Sequence, residues 1–162
     1  MKLKKLLALS LSLAALCGMF AGCQKSSESS EKSPAPKDIY QKIVKEIGEE
    51  NMPALSEADA DTLKTFYGIS SDDLEAYTLQ IPKMNVKADE FFIAKVKEGK
   101  MDAVKEGIEK RKADLDNTWK QYLPDVYETV KNAQTVENGS YILFAVSENA
   151  EKAVSVFNSE TK

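Results

Sequence analysis

The chain has 162 residues, enough for one domain with short appendages, and its 43% hydrophobic and 30% charged residues are ordinary for a globular protein. Acidic residues outnumber basic ones by 26 to 22, which disfavours nucleic acid as a partner. Histidine is absent and there are two cysteines. This composition excludes histidine-based triads, Cys–His nucleophiles and ordinary zinc sites. The sequence indicates neither a metal nor a cofactor.

Residues 1–22 have the pattern of a secretory signal peptide. A lysine-rich start precedes an uncharged apolar run, LLALSLSLAALCGMFAG, which stops at Cys23. The run is also close to the shortest length for a membrane-spanning helix. However, the small residues Ala21 and Gly22 before Cys23 resemble the lipobox of bacterial lipoproteins. In that class the cysteine thiol receives a diacylglyceryl group and the preceding peptide bond is cut. Cys23 is therefore the predicted lipidation site, and Cys17 lies in the discarded segment.

Residues 24–37 contain Ser, Glu, Lys and Pro without a large apolar side chain, which predicts a disordered tether. Its root-mean-square reach is about 20 Å. Two acyl chains on Cys23 would attach the protein stably to a membrane, since one chain alone binds marginally. We therefore expect a signal peptide over 1–22, a lipidated cysteine and tether over 23–37, and a domain over 38–162. The expected location is the extracytoplasmic face of the cell membrane.

Two helices are predicted at the start of this domain. Apolar residues in DIYQKIVKEIG recur at helical spacing, and Gly48 is placed to end the first helix. Residues 51–56 form a connector, at the end of which Ser56 can cap a shorter helix that stops before Gly68. Asp59 would lie near the positive end of that helix.

Two strands and a long helix follow. Alternating apolar and polar residues over 77–81 predict a half-buried strand that ends at Pro82, and FFIAKV over 91–96 predicts a second strand. Pro124 would then end or kink the long helix, and DVYETVKNA would continue as a further helical segment. The apolar stripe of the long helix consists of Met101, Val104, Ile108, Leu115, Trp119 and Tyr122.

The last part of the chain predicts a hairpin and a closing helix. Asn138-Gly139 lies between two apolar runs, which is a strong hairpin signal. Residues 141–146 are apolar throughout, so they predict a central strand covered by helix, and residues 147–149 would cap the closing helix. The expected class is α+β: an antiparallel sheet of about four strands in two hairpins, packed against a long helix, with N-terminal helices and a C-terminal helix.

Several motifs of this domain resemble the domain-of-unknown-function family 4358. They are TLKTFYGI, MNVKADE, the run from Lys110 to Trp119, YLPDVYETVKNA and ENGSYILFAVSENA, and the resemblance covers about residues 58–157. It implies a small, lipid-anchored protein of Firmicutes and supplies no catalytic residue. Genes of that family lie near genes for membrane-bound O-acyltransferases. The resemblance therefore also implies an accessory role in modifying a surface polymer.

The segment MNVKADE joins the two central strands and carries Lys87, Asp89 and Glu90. These residues are candidate binding residues, because loops at a sheet edge often bind ligands. The alternative is an ordinary connection with solvated charges, and the sequence favours this alternative.

Arg111, the single arginine of the chain, lies on the apolar stripe of the long helix. It could present its fork to a carboxylate or phosphate of a ligand. The sequence favours an internal ion pair with an acidic residue of the domain.

Three pairs of acidic residues, at 59/61, 72/73 and 114/116, match neither a calcium loop nor a recognisable glycosidase dyad. No catalytic residue is therefore predicted. The sequence favours a lipid-anchored accessory or binding protein that meets a membrane or envelope partner. The alternative is a small carboxylate-dependent envelope hydrolase or transferase. A concave pocket with converging carboxylates of displaced pKa would favour the enzyme, whereas an exposed apolar patch would favour the binding protein.

Overall fold

The structure is a computed structural model that describes residues 33–162. The predicted signal peptide, Cys23 and most of the predicted tether lie outside the described residues. The α-helices are α1 Pro36–Ile47, α2 Ala60–Tyr67, α3 Met101–Trp119, α4 Pro124–Lys131 and α5 Ala150–Thr161. The strands are β1 Leu55–Glu57, β2 Leu74–Pro82, β3 Glu90–Val96, β4 Gln134–Asn138 and β5 Tyr141–Val146. Short 3₁₀ turns occupy Glu49–Asn51 and Ser71–Asp73.

The five strands form one antiparallel sheet in the order β1-β2-β3-β5-β4. The predicted α+β class and both hairpins are confirmed. The two hairpins join because β3 pairs with β5, with Glu90 opposite Val146 and Lys95 opposite Tyr141. The fifth strand, β1, lies in a segment predicted to be a connector. It has only three residues, too few for an alternating pattern to be visible in the sequence.

Helices cover both faces of the sheet. Phe92 of β3 packs with α2, α3 and α4 on one face, and its neighbour Phe91 packs with α1 and α5 on the other. Both rings are fully buried. Successive side chains of a strand point to opposite faces, so a strand covered on both sides must be apolar throughout. This explains the continuous apolar runs of β3 and β5. Each such side chain contributes about 1.5–3 kcal/mol by burial.

Two local predictions are wrong. Asp59, rather than Ser56, caps α2: its Oδ1 accepts hydrogen bonds from the backbone N–H of Thr62 at 2.8 Å and from the Thr62 hydroxyl at 2.7 Å. Ser56 lies in β1, because the chain remains extended until Ala58. Tyr122 does not join the stripe of the long helix, because α3 ends at Trp119 and the Tyr122 side chain is 65% exposed.

The sheet has two ends with different roles. At one end, which we call the entry end, the Tyr141 hydroxyl donates a hydrogen bond to the Pro34 carbonyl at 2.8 Å, just before α1 begins. At the other, which we call the loop end, lie the 83–89 connection between β2 and β3 and the last residue of β5, Val146. A strand of the length of β3 separates the ends by about 20 Å. Among residues 33–162, no helix has both the length and the apolar character needed to cross a membrane.

Candidate binding cleft

A cleft of about 300 Å³ opens at the loop end of the sheet. A second depression of about 440 Å³ adjoins it and shares Asp125, Thr129, Ser147 and Glu148 with it. Four segments form the main cleft: the stretch 50–53 after α1, the 83–89 connection, the first turns of α4, and the residues that join β5 to α5. The cleft thus exists because four separate connections meet where the central strands end.

Four carboxylates and one lysine line the main cleft: Glu50, Asp89, Asp125, Glu148 and Lys87. None of these carboxylates forms an ion pair with another residue of the described part of the chain. Two helices, α4 and α5, begin beside the cleft, and each N-terminus is equivalent to about half a positive charge. Against four negative charges, the lysine and the two helix ends together supply only about two positive ones. The cleft is therefore electronegative.

Asp89 has the most distinctive environment of these carboxylates. Burial raises the pKa of Asp89, and the charge of Glu148 raises it further. The charge of Lys87 and the backbone N–H of Asp89 itself oppose this increase. The net effect is that Asp89 holds its proton to a higher pH than an exposed aspartate does.

Two hydroxyl groups lie in the wall of the cleft between these charges. Ser147 is 3% exposed, and its Oγ accepts a hydrogen bond from the Asn149 backbone N–H at 3.1 Å. Thr129 is 8% exposed, and among residues 33–162 no partner bonds to its hydroxyl. By contrast, Thr118 and Thr161 each donate to the carbonyl four residues earlier in their helices, at 2.7 Å. No fully enclosed polar side-chain atom of the described chain lacks a partner, so the Thr129 hydroxyl reaches solvent where Thr129 lines the cleft and the adjoining depression.

The structure divides the candidate binding residues into two pairs. Lys87 and Asp89 both line the cleft. Glu90 follows Asp89 directly but is fully buried on the α3 side of the sheet, where Arg111 reaches it. The Arg111 Nη2 lies 2.5 Å from the Glu90 Oε2, and the Arg111 Nε lies 3.1 Å from Oε1. The geometry of Arg111 is thus that of the internal ion pair, the interpretation the sequence favoured.

Aromatic rings complete the surroundings of this ion pair. The Tyr67 hydroxyl donates a hydrogen bond to Glu90 Oε1, and the Arg111 Cζ lies 4.4 Å from the centre of the Phe66 ring. Burial and the Glu90 charge raise the pKa of Tyr67 well above its usual value, so the hydroxyl remains a donor. Burial alone would lower the pKa of Arg111, but the hydrogen bonds and charge of Glu90 outweigh it and the net shift is upward.

Each of the other three acidic pairs has at least one member with a structural partner. Asp59 caps α2, Asp73 pairs with Lys100 at 2.9 Å, Asp114 pairs with Lys110 at 3.1 Å, and Asp116 accepts a hydrogen bond from Tyr127 at 2.7 Å. Within the described residues, no group of three or more acidic side chains is arranged to hold a metal ion.

Sequence reasoning did not identify the residues that complete the cleft, namely Glu50, Asp125, Thr129, Ser147 and Glu148. They come from different elements, and only the strand order β3-β5 brings their segments together. One signal was present: Thr129 interrupts the apolar face of α4 next to the buried Val130. A threonine at that position suggests a polar function for the wall it faces.

These features define a class: an α+β domain with helices on both faces of an antiparallel sheet and an electronegative cleft at one end. The family Domain of unknown function (DUF4358) matches residues 38–147, and the chain belongs to this family. No curated protein and no solved structure matches the chain.

Proposed function

We propose that the protein is a lipid-anchored accessory or binding protein of the cell envelope, which meets a membrane or envelope partner through the loop end of its sheet. In this proposal Cys23 carries the anchor on the extracytoplasmic face of the cell membrane. The partner belongs to a membrane-bound system that modifies a surface polymer.

One observation carries the proposal: the electronegative cleft and exposed large hydrophobic side chains occur together at the end opposite to the chain entry. Among the described residues, the large hydrophobic side chains that are exposed are Met84, Val86 and Tyr122. Met84 and Val86 lie on the 83–89 connection that forms one wall of the cleft. Tyr122 lies three residues before Asp125, which forms another wall. Exposed apolar side chains around a cleft are typical of a surface that meets a partner.

The anchor and the cleft would then have complementary positions. The chain enters the domain beside Tyr141 at the entry end, whereas the cleft lies about 20 Å away at the loop end. A membrane anchor that precedes residue 33 is therefore compatible with a cleft that remains free for a partner. A short tether also raises the effective concentration of such an encounter.

The anchor is tested first by metabolic labelling with an alkyne fatty acid. Labelling should disappear in Cys23→Ala and persist in Cys17→Ala, the matched control for loss of a thiol. Equal labelling of both variants would contradict lipidation at Cys23.

The binding surface is tested by photo-crosslinking in native membranes, with a photoreactive residue at position 87 or 98. Glu98 is exposed and lies in the turn after β3, at the entry end, so it is the matched control. We expect one envelope protein to be captured from position 87, and much less from position 98. Equal capture from both positions, or none from position 87, would contradict the proposal.

A second candidate function is a carboxylate-dependent hydrolase or transferase of the envelope. It is favoured by the raised pKa of Asp89 inside a concave cleft, next to the charge of Glu148. This candidate predicts turnover of an envelope glycan that is lost in Asp89→Asn and in Glu148→Gln but retained in Glu98→Gln. Turnover that survives in Asp89→Asn would exclude it.

A further inference from the structure

We propose that the cleft binds a primary ammonium group, held by the carboxylates of Asp89 and Glu148 and by the hydroxyl of Thr129. This inference rests on the proposed binding function and specifies its ligand chemistry. A lysine side chain and a small amino alcohol are two sources of such a group.

The negative charge of the cleft favours a positively charged ligand. Its carboxylates are not ion-paired within the described chain, and the nearby lysine and helix ends offset only about half of their charge. An anionic ligand would add to this excess, whereas a cation would offset it. The partial burial of Asp89 makes a charge-assisted hydrogen bond there stronger than one at the open surface.

The hydroxyl groups select a cation that carries N–H donors. Thr129 is more than nine-tenths buried and lines the cleft, and its hydroxyl reaches solvent without a partner among the described residues. Ser147 already receives one hydrogen bond, from Asn149, and retains capacity to accept another. An ammonium group has three donors, enough for the Thr129 hydroxyl and the carboxylates of Asp89 and Glu148, and Ser147 is a further acceptor in the same wall. A quaternary ammonium has the same charge but no donor, so it would leave the hydroxyls unsatisfied.

Substitution of Lys87 tests whether the ligand is a cation or an anion, because Lys87 carries a positive charge. Lys87 lies two residues before Asp89 on the same connection, and its charge acts on Asp89. If the ligand is a cation, Lys87 repels it, so Lys87→Gln should strengthen binding. If the ligand is an anion, the same substitution should weaken binding.

The experiment follows the amide NMR shifts of the full chain in detergent micelles during titration with three probes. They are Nα-acetyl-lysine methylamide, its Nε-trimethyl derivative and ethanolamine. We expect the shifts to cluster at the cleft, and the trimethyl derivative to bind at least about fivefold more weakly than its primary amine. Stronger binding of the lysine probe than of ethanolamine would assign the ammonium to a protein segment, and the reverse order would assign it to a small amino alcohol.

Four variants complete the experiment. Asp89→Asn should weaken binding of the lysine probe by about five- to tenfold, and Thr129→Val, which keeps the side-chain shape, by about two- to threefold. Lys87→Gln should tighten binding by about two- to threefold, while Glu98→Gln should leave it unchanged. Melting curves show that each variant is folded.

Equal affinity for the primary and trimethyl probes, weaker binding by Lys87→Gln, or no shift at the cleft would overturn the inference. The proposed function fails on a different result, namely the absence of a crosslinked envelope protein at position 87. The two failures are therefore distinguishable.

Discussion

Replacing Arg111 with methionine is expected to destabilise the domain by about 3–5 kcal/mol, the usual cost of leaving one member of a buried ion pair alone. Glu90 is fully buried, and Arg111 is its ion-pair partner, with a side chain that is only 15% exposed. Coulomb's law at an effective dielectric constant of about 20 gives a similar figure, about 5 kcal/mol, for charges about 3 Å apart. The remaining hydrogen bond from Tyr67 is too weak to replace the guanidinium.

The double variant Glu90→Gln/Arg111→Met separates the charge from the packing. Glutamine keeps an oxygen that can accept the hydrogen bond from Tyr67 but carries no charge. We therefore expect the double variant to recover at least half of the stability lost in Arg111→Met. Lys110→Met, at the neighbouring exposed position that pairs with Asp114, is the matched control and should cost no more than about 1 kcal/mol.

Urea denaturation followed by far-UV circular dichroism measures these free energies. A loss below about 1 kcal/mol in Arg111→Met, or a double variant no more stable than Arg111→Met, would refute the claim that the buried charge of Glu90 needs Arg111.

Three further substitutions test the packing, the cleft and a helix cap. Gly107→Ala should destabilise the domain by about 1–2 kcal/mol in urea titrations, because the added Cβ would lie 2.5 Å from the Ile69 Cγ1. The higher helix propensity of alanine offsets only part of that clash. A more stable variant would contradict this packing. Asp89→Asn should stabilise the fold at neutral pH, because it removes a partly buried charge. Because the pKa of Asp89 is raised in the folded state, the folded protein keeps the Asp89 proton to a higher pH than the unfolded chain does. Wild-type stability therefore falls as the pH rises from the unfolded pKa through the folded pKa of Asp89. In melting curves the advantage of Asp89→Asn should vanish below that pH range. Asp59→Ala should lower the melting temperature at neutral pH, because it removes the cap of α2. Hydrogen bonds from the Thr62 side chain and backbone lower the pKa of Asp59, so protonation in strong acid ends this contribution and the difference should disappear there. A difference that persists in strong acid would count against the cap.

The sequence predicted those parts of the fold that local patterns determine. The Asn138-Gly139 signal places the β4–β5 turn, where Gly139 has φ +57° and Asn138 pairs with Tyr141. Gly68, at φ +74°, ends α2 as expected for a residue that adopts the left-handed conformation without strain. Such features depend on a few adjacent residues, so one sequence is sufficient to identify them.

The cleft could not be predicted in the same way, because its walls come from segments far apart in the chain. Asp125 and Glu148 are ordinary acids at helix starts when viewed in sequence. They become neighbours of Asp89 only after β3 pairs with β5, which brings the 83–89 connection to the end of β5. Glu90 could not be identified as the partner of Arg111 from the sequence either, because it is 21 residues away and the sequence pattern assigns it to a connecting loop.

Asp89 and Glu90 are adjacent in the chain, but one belongs to the proposed binding site and the other to the buried ion pair. Glu90 is the first residue of β3 and is held on the α3 side by Arg111 and Tyr67. Asp89 precedes the strand and lies in the cleft, where burial raises the pKa of its carboxyl group at a cost to the fold. The ion pair therefore anchors the strand that presents Asp89, and it fixes the position of a carboxylate that the fold alone would not favour. This is why the proposed ligand site is placed at Asp89, a carboxylate that burial disfavours, and not at Glu90, whose charge Arg111 already neutralises.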